Sequence, residues 1–123
     1  MLFTGYLDGK DVHNAFKMAD LYVMPSVSEP FGLVALESIK NGTPILISKQ
    51  SGVSEVVTNA LKSDFWDVNE MANQIVGTLK YKTMYKELKK NSTHEAKKFN
   101  LDDPAKKTIS IYNQVLTGYT RCV

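Results

Sequence analysis

The chain has 123 residues, enough for one domain with its own core but not for two. Its 43% hydrophobic and 23% charged content is that of a globular protein, and a net charge of +2 is too small to argue for nucleic acid or a membrane surface. A single cysteine, Cys122, excludes an internal disulfide framework and suits a reducing compartment. Nothing resembles a signal peptide or a membrane span, so the expected location is cytoplasmic.

In chain order, Met1-Leu-Phe-Thr-Gly-Tyr-Leu7 predicts a strand over residues 2–7 that ends at Gly5-Tyr6. Asp8-Gly9 or Asp11 caps a helix running to about Met18, with Val12, Ala15, Phe16 and Ala19 spaced for one buried face. Asp20-Leu-Tyr-Val-Met24 is a short apolar run of the kind that forms a buried parallel strand. Pro25, Ser26 and Ser28 punctuate the turn that follows. Glu29-Pro30 then opens a helix over 31–41, with proline at or near the first helical position, and Asn41-Gly42 stops it. Thr43-Pro-Ile-Leu-Ile-Ser48 is a second buried strand, followed by a loop at 49–52. Ser54 caps a short helical turn over 55–58, and Ser63-Asp-Phe-Trp-Asp67 predicts a short strand or edge segment in which Trp66 packs. The remainder predicts helices over 68–80, 81–90, 92–99 and 102–116, with Asn100-Leu-Asp-Asp-Pro104 as the last start signal. The lysines between 80 and 107 fall on these helices, where a solvated face explains them.

Strands alternating with helices predict a parallel α/β sheet, and open sheets of that kind bind ligands beyond the carboxyl ends of their strands. The turns at 5–6, 25–28 and 49–52 are therefore expected along one edge. A strand, a tight turn and a helix start with Gly32 in its first turn present free N–H groups and the positive end of a helix dipole. Phosphate is the natural ligand of such a place. Two carboxylates flank it. Glu29 stands at the mouth; Glu37 lies beside apolar Leu33, Val34, Leu36 and Ile39 and needs donors, which sugar hydroxyls supply in pairs. Plainer readings stand beside these: Glu29 as an N-cap or a capping-box partner of Ser26, Glu37 as an exposed helix residue, Gly32 as a packing glycine. Glu55 reads as a helix-start glutamate, and His13 and His94 as surface residues with no nucleophile to serve. No His, Cys and Asp cluster has metal-ligand spacing.

The stretch Glu29-Pro-Phe-Gly-Leu-Val-Ala-Leu-Glu37 resembles the E-x7-E signature of retaining GT-B glycosyltransferases, the large family 4 that includes bacterial and archaeal glycogen synthases. Ala19-Asp-Leu-Tyr-Val-Met-Pro-Ser26 is similar to that family's lead-in strand, Gly42-Thr-Pro-Ile-Leu-Ile-Ser48 to its next strand, and Gly52-Val-Ser-Glu-Val-Val57 to its following turn. The resemblance covers residues 3–117. It implies a three-layer Rossmann-like parallel sheet, the C-terminal donor-binding domain of a GT-B fold. It also implies transfer of a glycosyl group from a nucleotide sugar to a sugar or glycan acceptor with retention of configuration, and no cofactor. Residue by residue, Glu29 would contact donor-sugar hydroxyls and stabilise the oxocarbenium-like transition state. The amides of Phe31, Gly32 and Leu33 would bind sugar and diphosphate, and Glu37 would accept hydrogen bonds from the ribose. Tyr6, beside the glycine that ends the first expected strand, would approach the base.

The same comparison implies that 1–123 is a single partial domain. The acceptor domain and the two strands that ordinarily precede residues 2–7 are absent, and with them a basic Arg/Lys pair used against the diphosphate. Ser51-Gly52 stands where the family has two glycines, and the loop before Phe65 is shorter than the family pattern. The chain alone is accordingly expected to be inactive, with three or four parallel strands and exposed edges that favour a homo-oligomer. The alternatives are a GT-B-related phosphorylase or epimerase, which lacks the Pro-Phe-Gly-Leu arrangement between its glutamates, and a non-catalytic α/β interaction or nucleotide-binding module.

Overall fold

Ile45-Leu-Ile-Ser48 turns apolar side chains toward both faces of a sheet, and it forms the central strand. In the computed structural model, which describes residues 1–100 and 102–119, three parallel strands stand in the order β1 (Tyr22–Met24), β2 (Ile45–Ser48), β3 (Leu61–Ser63). Tyr22 lies opposite Ile45 and Met24 opposite Ile47; on the other side Leu46 faces Leu61 and Ser48 faces Ser63. Every β2 residue is buried, as the middle strand of a parallel sheet should be.

Helices α1 (Gly9–Met18), α2 (Leu33–Lys40), α3 (Val53–Val56), α4 (Val68–Lys80), α5 (Lys82–Ala96) and α6 (Asp102–Tyr119) surround the sheet in chain order. α2 rests on β1 and β2, α4 on β3, and α5 packs against both α2 and α4. The core runs through Met24, Leu36, Ile39, Ile45, Ile47, Val53 and Val57. Each fully buried isoleucine or valine there contributes about 1.5–3 kcal/mol relative to an exposed one. Asn41-Gly42 ends α2 in a Schellman motif: Thr43 N–H donates to Ser38 O (3.1 Å) and Gly42 N–H to Ile39 O (3.0 Å), which aims the chain straight into β2.

Several expectations need correction. Residues 2–7 form no strand; Leu2 and Phe3 are 86% and 83% exposed, because no neighbouring strand takes up their backbone groups. α2 begins at Leu33 rather than at Pro30 or Phe31, since Gly32 ahead of it is left-handed (φ 87°) and cannot belong to the helix. The third strand is Leu61–Ser63 and ends where 63–67 had predicted it to begin; Asp67 N–H donates to Asp64 O at 3.0 Å and closes a turn there. Trp66, in that turn, is 63% exposed, with its ring edge-to-face against Phe65, 4.7 Å between ring centres. α3 spans Val53–Val56 with Gly52 ahead of it, and the Ser54 hydroxyl donates back to Lys49 O (2.6 Å) instead of capping. α5 is one helix across Asn91 and Ser92, because Ser92 turns its hydroxyl onto Lys89 O (3.2 Å) and is buried. No helix among the described residues is long and apolar enough to cross a membrane. Cys122 lies outside the described residues.

Candidate functional site

Parallel strands put their carboxyl ends at one edge, so the turns after β1 and β2 meet there. The Ser48 hydroxyl donates to Ser26 O (2.6 Å), and Gly52 N–H donates to Glu29 O (2.9 Å). The contact at Gly52 is so close that a Cβ on it would overlap Pro30 O. The 49–52 loop is therefore pressed onto the turn that launches α2. The third expected turn, at 5–6, takes no part: Tyr6 is 91% exposed and lines neither of the clefts described below.

Within the 29–32 turn the side chain of Glu29 folds back on its own backbone. Its Oε1 accepts the Gly32 N–H at 3.1 Å, so Glu29 caps the α2 entry itself and Ser26 is not its partner. Gly32 is buried, and a Cβ there would stand 3.0 Å from Val53 Cγ1 as well as requiring an L-residue at positive φ. Because Gly32 N–H is engaged, the amides left without an acceptor at the head of α2, among the described residues, are those of Leu33 and Val34.

Glu37 is exposed one turn further along α2 and borders two clefts. One, about 360 Å³, lies toward α1 with Val12, His13, Phe16 and Lys40 in its walls. The other, about 700 Å³, is floored by Phe31, Leu33, Leu36 and Phe99. The structure thus brings Phe31, Leu33 and Glu37 to one groove; Gly32 and Glu29, bonded to each other in the turn ahead of it, line neither cleft, and Tyr6 stands apart.

One residue near the carboxylates went unnoticed in the sequence. Tyr22 on β1 is half-buried with its ring edge-on to Phe16 (5.4 Å); burial, then the charges of Glu29 and Glu37, push its hydroxyl above the ordinary tyrosine range. It stays a proton donor between the two glutamates' fields. The signal was the two-residue period of Tyr22 and Met24, which places both on one face of the strand. Lys49, at the same sheet edge, is paired with Asp64 at 2.9 Å. The hydrogen bond to Asp64 and its charge raise the lysine, and bonds from Lys49 and Gln50 lower the aspartate. Among the described residues no three His, Cys, Asp or Glu side chains converge as metal ligands.

Comparison with known proteins gives consistent matches. The family described as "Glycosyl transferases group 1" matches residues 1–99. An uncharacterized glycosyltransferase of Methanocaldococcus jannaschii is 29% identical over 122 residues, 91% of this chain and 30% of that protein. A glycogen synthase of Mycobacterium tuberculosis is 46% identical over 57 residues, 46% of this chain and 14% of its own length. The solved sucrose-phosphate synthase of Thermosynechococcus elongatus superposes with a TM-score of 0.86 at 30% identity, covering 95% of this chain and 30% of that one. The chain therefore spans less than a third of these relatives.

Proposed function

This chain belongs to the glycosyl transferases group 1 family, and on that premise we propose that it is the nucleotide-sugar-binding part of a retaining glycosyltransferase. The observation that carries the reading is the head of α2: a braced left-handed turn, two amides without acceptors, and a carboxylate on either side. The donor diphosphate sits against the Leu33 and Val34 amides, with the helix dipole behind them. This refines the expected trio of Phe31, Gly32 and Leu33, because the Gly32 amide already serves Glu29. Glu29, pinned through Oε1, offers its other oxygen to donor-sugar hydroxyls and to the positive charge that develops on the anomeric carbon. Glu37 accepts the ribose hydroxyls.

In the reaction the bond from anomeric carbon to diphosphate oxygen breaks. A bond from the same carbon to an acceptor hydroxyl oxygen forms on the same face, and the hydroxyl proton leaves with the diphosphate. The chain supplies binding and electrostatics for this; the acceptor, a sugar or glycan, is held by the rest of a longer protein, of which this is one partial domain. Nucleotide-sugar chemistry and one cysteine in the whole sequence suit a cytoplasmic location.

A second reading, a nucleotide-binding module without turnover, is favoured by the engaged Gly32 amide, which leaves the diphosphate one donor fewer. Calorimetric titration of the chain with UDP, ADP and GDP tests the site. One nucleotide is expected to saturate it, and Glu37→Ala to weaken that binding about 10- to 100-fold, the loss of charged hydrogen bonds. Equal affinity in the variant would overturn the assignment of Glu37. Transfer from the bound donor's sugar, assayed in a longer protein that carries this chain, separates the two readings.

A further inference from the structure

α5 carries one acidic side chain into the interior. Glu95 is 4% exposed, and its carboxylate is met by four donors from two consecutive residues on the far side of the molecule's sequence. Oε1 accepts Thr58 N–H (2.9 Å) and the Thr58 hydroxyl (2.6 Å). Oε2 accepts Asn59 N–H (2.7 Å) and Asn59 Nδ2 (3.0 Å). No cation joins the cluster among the described residues; the charge is balanced by oriented dipoles alone.

Thr58 and Asn59 follow directly on α3, and α3 is a single turn. Val57 N–H closes it onto Val53 O (3.0 Å), and Val53 and Val57 are both fully buried in the core beside Ala96, the neighbour of Glu95. At its other end this turn carries the two contacts that shape the candidate site: Gly52 N–H on Glu29 O, and the Val53 side chain against Gly32. Within residues 52–59, Val53 and Val57 are the buried anchors, one at each end of the turn. On the sheet side α3 is held by Lys62 Nζ on Ser54 O (2.6 Å); on the helix side it is held by Glu95.

We infer that Glu95 is a positioning residue for the 29–32 turn, acting through α3 to keep Gly52 and Val53 seated against Glu29 and Gly32. Its bearing on donor binding rests on the function proposed above; its mechanical role does not. Sequence offers no hint of it, because Glu95 stands in a lysine-rich amphipathic stretch and its partners are 36 and 37 residues away.

Amide exchange by NMR at neutral pH tests this on the chain itself, comparing wild type with Glu95→Gln. The amide keeps the shape but loses the charge and one acceptor. Exchange at Thr58 and Asn59 is expected to rise about tenfold, and exchange at Gly52 and Gly32 to rise by the same factor, whereas Leu46 and Ile47 in β2 follow the loss of global stability read by denaturant titration. Acceleration at Thr58 and Asn59 with Gly52 and Gly32 as in wild type would overturn the inference, for a merely local clasp behaves that way. Should Glu95→Gln fail to fold, Asn59→Ala removes one of the four donors while leaving the carboxylate, and the same pattern is expected at about threefold. Nucleotide affinity is read in parallel. Faster exchange at Gly52 and Gly32 with unaltered affinity supports the positioning role and counts against the donor site instead.

Discussion

At the scale of the residue, Gly52 shows how little space separates the two turns. Its α-carbon faces the backbone of Pro30, and a methyl group there would overlap the Pro30 carbonyl oxygen. Gly52→Ala is expected to destabilise the chain by about 1–3 kcal/mol, the range for forcing an atom into a packed place. It should also abolish nucleotide binding by displacing Glu29. An unchanged urea midpoint would refute the clash. That Glu29 stands just ahead of the helix and Glu37 on it was legible from the sequence. The hydrogen bond from Gly32 to Glu29 was not, because a carboxylate beside a helix start can cap in several ways and only the backbone angle at 32 decides among them. Tyr22 was hidden for a different reason. A tyrosine in an apolar strand reads as core, and its neighbourhood to Glu29 and Glu37 comes from the way α2 doubles back over β1.

At the scale of the element, burial pushes the Glu95 carboxyl up, yet hydrogen bonds from Thr58 and Asn59 outweigh it and hold the group at about 2, against 4.5 when unfolded. A depressed folded value means that the stabilisation is complete above pH 4.5 and is lost as pH falls through 2. Denaturant titrations of wild type and Glu95→Gln should therefore differ most at pH 7 and converge as pH drops from 4.5 toward 2. A constant gap across that window would show that the carboxylate is not what the loop holds. Helices were readable where periodicity and stop signals agreed, as at α1, α2 and α4. Errors clustered where tertiary contacts decide. The strand expected at 2–7 has suitable side chains but no partner, and the one expected at 63–67 is cut short by the turn at Asp64.

For the whole molecule, the three-stranded sheet has two outer strands, and neither finds a further strand among the described residues. β1 and β3 both offer unpaired edges, although α4 packs against β3, and Leu2, Phe3 and Tyr6 stand in solvent. α6 adds Ile109, Ile111, Tyr112 and Val115, all exposed. Apolar surface on that scale favours association. Sedimentation of the chain is expected to show mass rising with concentration, and replacement of Leu2 and Phe3 by serine to shift the distribution toward the monomer. A monomer at all concentrations would show that these surfaces are tolerated singly. The α/β class and the parallel sense of the strands followed from their alternation with helices. Which strands would actually pair did not, since pairing depends on what lies beside β1.

Because the strands join the sheet in the order in which they are made, each can settle on the one before it during synthesis. The loop at Thr58 and Asn59 is the exception. Its two backbone N–H groups are directed at a carboxylate that does not exist until residue 95 has been added. A ribosome that has released β3 but still encloses α5 would carry a chain whose three strands can pair while the loop at Thr58 and Asn59 lacks its carboxylate. Seating of that loop is thus a late event, set by a residue 36 positions further along the chain.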